Sequence, residues 1–185
     1  MHRTLIAAVA IVVLCPLAVG VGAQAPSQAK VFEHAGLGLS LNYPADFVEQ
    51  DTTTATALGL PDQTEMLFIA ASPQQVPTVS VFQLPTPEGL SVEAFGEQVA
   101  VAIAQMVGVG EAKIESASET TLRDGVTEAM EFIIEISAGG FQLKNLSLFV
   151  PRGPQTVVVS VIWADAMGDR ASQKIDDIAY GLSFE

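Results

Sequence analysis

The chain has 185 residues, 21 acidic and 8 basic, with a formal charge of −13 and a pI near 4.3. That balance excludes a nucleic-acid binder, which must neutralise a row of phosphates with Lys and Arg. A hydrophobic fraction of 49% excludes a disordered acidic tail, and the length suits one domain.

Residues 1–4 carry Arg3 and the terminal amine, and Leu5–Leu14 is an unbroken apolar run. Small residues follow at Ala18, Gly20, Gly22, Ala23 and Ala25. This is the pattern of a secretory signal peptide over 1–23, expected to be cut after Ala23, with Ala25 as the second choice. The stretch Leu5–Ala23 also has the length of an uncleaved anchor, the one case in which the chain would contact a membrane. A lipid on Cys15 is the remaining alternative. Cleavage leaves 162 residues with 21 acidic and 7 basic side chains, a charge of −14, and no Cys. The exported chain then has no disulfide, although its periplasmic or extracellular destination is oxidising.

Residues 24–30 read as a flexible lead-in to a single domain over 31–185. Val31–His34 and Gly38–Tyr43 form a first hairpin with Leu39, Leu41 and Tyr43 on one face. Pro44 ends it, and Asp51–Ala57 reads as a polar loop. Met66–Ala71 and Thr78–Leu84 are two further strands. Ser91 is placed to cap a helix whose apolar face carries Phe95, Val99, Ala102, Ile103 and Met106, with Gly108 as its stop.

Glu111–Leu122 and Val126–Ser137 both alternate, with Arg123-Asp124-Gly125 between them. A three-residue loop sets Ile114 opposite Ile134, Ser116 opposite Phe132 and Lys113 opposite Glu135. That register keeps one face apolar and gives Gly125 the left-handed position. Phe141–Val150 and Gln155–Trp163 follow. Val157, Val159, Val161 and Trp163 occupy one side of the last strand, with Thr156, Val158, Ser160 and Ile162 on the other. A strand apolar on both sides is expected to be central and covered twice. A final helix near Gly168–Tyr180 offers Ala171, Ile175, Ile178 and Ala179. The order is ββββαββββα, an α+β fold with a mostly antiparallel sheet and helices on both faces.

Three short motifs carry a family likeness. Gly38-Leu39-Ser40-Leu41-Asn42-Tyr43-Pro44 is followed by the aromatic Phe47, Leu122-Arg123-Asp124-Gly125 makes a hairpin turn, and Leu182-Ser183-Phe184 follows the last helix. With these the chain resembles the PsbP-like superfamily. That group holds extrinsic subunits of the oxygen-evolving photosystem, a Ran-binding nuclear import factor and many exported bacterial proteins of unknown role. The resemblance implies an α/β/α sandwich and a non-enzymatic, partner-binding role, and it transfers no catalytic residue.

The exported chain has His34 as its only His and no Cys, so nucleophile-base pairs and soft metal sites lack their parts. His34 is expected to be structural, and no cofactor is expected. Asp46, Glu49 and Asp51 are the nearest thing to a hard-cation set, without an EF-hand's spacing. Asp165 and Asp169 frame the last helix. Glu111, Glu115, Glu119, Glu131 and Glu135 are expected on one face of the hairpin, either as a solvated surface or as a face for a basic protein partner. Asn145-Leu146-Ser147 is a glycosylation sequon set mid-strand, where no glycan is expected. The leading expectation is an exported binding or assembly module. A carrier of a small or lipidic ligand is the alternative, and a hydrolase ranks below both.

Overall fold

The computed structural model describes residues 29–52, 63–86, 88–106, 110–138 and 140–185. The expected leader, most of the polar loop after Thr52, and Gly108 lie outside the described residues. So do the side chains of Ile103, Met106, Glu111 and Ala171.

Ten strands and two α-helices are described. β1 (Ala29–His34), β2 (Leu39–Pro44), β3 (Val48–Glu49), β4 (Glu65–Ala71) and β5 (Thr78–Pro85) precede α1 (Val92–Met106). β6 (Gly110–Thr121), β7 (Glu128–Ala138), β8 (Phe141–Arg152), β9 (Gln155–Ala164), α2 (Asp169–Ala179) and β10 (Leu182–Phe184) follow. The expected order lacks β3 and β10, whose two and three residues are too short to show a period. The expected lead-in also ends two residues late, because Ala29 and Lys30 pair with Pro44 and Tyr43 in β1. Lys30 Nζ then donates to the Phe47 carbonyl at 3.0 Å.

Every strand pair is antiparallel, but the strands form two sheets rather than one. A seven-stranded sheet runs β3-β4-β5-β9-β8-β7-β6, and a three-stranded sheet runs β1-β2-β10. The first hairpin leaves the main sheet because its buried face, Leu39, Leu41 and Tyr43, packs onto that sheet instead of pairing with its edge.

β9 lies inside the large sheet, and Val157, Val158, Val159 and Val161 are each 0% exposed. Its side chains alternate between two clusters, as a period of two requires. Val157, Val159, Val161 and Trp163 pack with Ile175, Ile178 and Ala179 of α2 and with the apolar face of β2. Val158 packs with Phe95 and Val99 of α1 and with Phe82, Phe132 and Phe149. One cluster therefore has a helix and a small sheet as its cover, where the sequence pattern called for a helix alone. Ser91 caps α1 as expected, its hydroxyl accepting the Ala94 N–H at 3.1 Å. Gly96 lets α1 approach closely, since a Cβ there would stand 2.2 Å from the Phe132 ring.

The β6–β7 hairpin follows the expected register from Gly110 to Ile114, including Lys113 opposite Glu135. A bulge then intervenes between Ile114 and Ser116, and Phe132 faces Ala117 instead of Ser116. Twelve residues of β6 span eleven of β7, so one residue must be accommodated unpaired. The turn consequently holds four residues, closed by the Leu122 N–H on the Thr127 carbonyl at 2.9 Å. Gly125 does take the left-handed conformation, with φ +73.

Candidate functional site

The bulge redistributes the five glutamates. Glu131 and Glu135 share one face of the hairpin by their register, and Glu115 reaches that face to meet Lys144. Glu119 lies opposite Met130, whose side chain packs against the cluster around Phe132. Glu119 is therefore on the other face, and the single acidic face expected from strict alternation is broken. Glu115, Glu131 and Glu135 are each engaged by a neighbour. Lys144 Nζ lies 3.3 Å from Glu115, 3.9 Å from Glu135 and 3.8 Å from Asp165. The Glu115 hydrogen bond, helped by these charges, raises the Lys144 pKa. Glu131 accepts the Tyr180 hydroxyl, and burial together with that bond pushes Tyr180 up to about 12.

Asp46, Glu49 and Asp51 do not form a cation cage. Asp46 faces Lys174 at 3.9 Å, and Glu49 accepts the Tyr43 hydroxyl at 2.6 Å. Burial, then the Glu49 bond and charge, push Tyr43 up to about 12. Among the described residues no group of three His, Cys, Asp or Glu is placed to hold a metal ion. His34 ends β1, and its Nδ1 is buried without a hydrogen-bond partner among the described residues. Asn145 of the sequon is 0% exposed. Its amide donates to Ser160 Oγ at 2.6 Å, and its carbonyl oxygen accepts Ser147 Oγ at 2.7 Å. A glycan has no access to it in the folded chain.

A cleft of about 490 Å³ opens at the other end of the β6–β7 hairpin. The turn supplies Asp124, Val126 and Thr127, with Glu128 at the start of β7. Pro151 and Arg152 come from the end of β8, and Phe184 and Glu185 from β10 and the residue after it. The Arg152 guanidinium lies over the Phe184 ring, 4.2 Å from its centroid, a cation–π contact. Among the described residues Val126 is the most exposed of the large apolar side chains, at 79%.

The charges of the cleft are set by local chemistry. The Asp124 carboxylate accepts the Thr127 hydroxyl and the N–H groups of Thr127 (2.8 Å) and Val126 (2.9 Å). These bonds, with Arg152 nearby, lower its pKa. It therefore stays charged while building the turn. The exposed carboxylates of Glu128 and Glu185 make no hydrogen bond or ion pair with described residues. Three carboxylates thus face one guanidinium, and the lining is net negative. In the sequence, Leu122–Gly125 reads only as a turn and Leu182–Phe184 only as an ending. The cleft exists because chain segments about sixty residues apart meet, and no local pattern signals that.

No protein family and no curated protein matches the chain. Among solved structures it is similar to the cyanobacterial PsbP protein CyanoP from Synechocystis sp. PCC 6803. The TM-score is 0.64 at 15% identity, covering 92% of this chain and 100% of that one. It is also similar, at a TM-score of 0.49 and 14% identity, to LpqN of Mycobacterium tuberculosis, a protein involved in cell envelope biogenesis. That match covers 84% of this chain and 90% of LpqN. This structural likeness shows that the fold of the chain is the PsbP-like fold.

Proposed function

We propose that the chain is an exported, non-enzymatic binding module that engages a basic segment of another protein through the cleft of Glu128, Arg152 and Glu185. The observation that supports it most is the cleft's charge: Asp124, Glu128 and Glu185 outnumber Arg152, in a chain of net charge −13. Such a lining raises the local concentration of cationic groups and speeds their capture. The polar lining speaks against the lipid-carrier reading, which needs an apolar cavity. Export rests on the leader pattern of residues 1–23, and among the described residues no helix is long and apolar enough to cross a membrane. The reading takes the architecture as a sheet with one helix on each face, so that binding falls to the exposed turns at the sheet's ends.

The test is fluorescence anisotropy with a labelled Lys-Thr peptide and its Glu-Thr counterpart. The basic peptide is expected to bind, to weaken steeply with added salt, and to weaken at least tenfold against Glu128→Lys. Equal binding of the two peptides, or indifference to Glu128→Lys and Glu185→Lys together, overturns the proposal.

A further inference from the structure

The geometry points to strand addition: resting on the cleft reading above, an extended basic peptide binds along the free edge of β10. β10 is the outer strand of the three-stranded sheet and pairs with β2 on one side only. The Glu185 N–H donates to the Gly38 carbonyl at 2.8 Å. In an antiparallel ladder hydrogen-bonded pairs alternate, so Ser183 with Ser40 is the next such pair. The Ser40 and Ser183 hydroxyls, 2.9 Å apart, hold that register. Phe184 lies between these pairs, and its N–H and C=O point away from β2. Leu182 is buried, whereas Phe184 is half-exposed and lines the cleft, so the accessible part of the edge opens into it.

The other edges are protected in the usual way, with charge or irregularity. β6 carries Lys113, Glu115, Glu119 and the bulge, β1 carries Lys30 and Glu33, and β3 carries Glu49. β10 is Leu-Ser-Phe, with no charge, proline or bulge. Main-chain bonds to Phe184 would supply affinity, and side-chain contacts would supply specificity. Successive side chains of an added strand point alternately to its two faces. One set would face the carboxylates of Glu128 and Glu185, which attract Lys or Arg, and Val126 offers apolar contact to the same segment. A second copy of this chain is disfavoured by its own negative charge.

The experiment uses the purified chain with the labelled Lys-Thr peptide and two analogues, one N-methylated on every Lys and one on every Thr. Amide hydrogen exchange of Phe184 is followed by NMR. One analogue is expected to lose at least tenfold in affinity while the other binds like the parent, and Phe184 exchange is expected to slow at least tenfold at saturation. If both analogues bind like the parent and Phe184 exchange is unchanged, strand addition is wrong while the acidic cleft stands. If no basic peptide binds, both proposals fall. Concentration-dependent dimerisation without peptide, lost on truncation after Leu182, would assign the edge to a second copy and overturn the inference.

Discussion

Gly96→Ala tests a close helix–sheet contact, that of α1 with Phe132. Alanine in place of glycine inside a helix is worth about 1 kcal/mol of stability on propensity alone. Here the added methyl would lie 2.2 Å and 2.4 Å from Phe132 Cε2 and Cζ. Carbon atoms prefer separations of about 3.5–4.0 Å, so ring and helix must part by about 1 Å. The ring cannot simply turn aside: Phe132 is 0% exposed and meets the Phe149 ring edge-on at 5.1 Å. Overpacking a core of this kind costs about 1–3 kcal/mol, more when backbone must move. With the upper end of that range set against the helix gain, we expect a net loss of about 2 kcal/mol. For a domain of this size that lowers Tm by about 4–8 °C. Circular dichroism melts of the two chains measure it directly. Phe132→Leu in the Gly96→Ala background supplies the room, so the double variant should lose less than the sum of the single losses by about 1 kcal/mol. A Gly96→Ala protein that melts at or above the parent temperature would show that propensity outweighs the contact, and would refute the packing argument.

Three other outcomes are expected. Asn145→Ala leaves the buried hydroxyls of Ser147 and Ser160 without their amide partner, at a cost of about 2–3 kcal/mol; an unchanged guanidinium midpoint would contradict this. The two tyrosines, Tyr43 and Tyr180, are both pushed up to about 12, so tyrosinate absorbance should not rise near pH 10 in the folded chain. Because these folded values exceed the unfolded one, the stability they contribute is full below about pH 10 and is lost as pH rises toward 12. Ionisation of either tyrosine at its ordinary pH in the native chain would defeat the assignment. Burial, then the charges of Glu131 and Asp177, raise the Asp176 pKa, which penalises its charged form in the fold. Asp176→Asn should therefore stabilise the chain at pH 7 relative to the parent, and the gain should vanish below about pH 4, where the carboxyl is protonated in both states. A gain that persists in acid would mean the effect is not electrostatic.

Local patterns were sufficient wherever the cause was local. The Ser91 cap, the left-handed Gly125, the alternation of β7 and the two-sided burial of β9 follow from spacing and residue type, and all are present in the fold. The bulge after Ile114 was not legible, because alternation of Lys113, Glu115 and Glu119 continues through it; only the closure of the turn onto Thr127 demands the extra residue. That one residue moves Glu119 away from Glu131 and dissolves the expected acidic face. The pairing of β10 with β2 joins Ser183 to Ser40 across almost the whole chain, and it separates the first hairpin into its own sheet. The amino-acid order by itself thus determined the eight longer strands, both helices and which of their faces are apolar, since those depend on neighbours within a few residues, whereas β3 and β10 form only by pairing with remote segments. Tertiary structure alone decided which strands share a sheet, which carboxylates meet a lysine, and that Glu128, Arg152 and Phe184 enclose a common cleft. Each of those depends on loop closures between remote segments, whose outcome is set by the packing of the whole core.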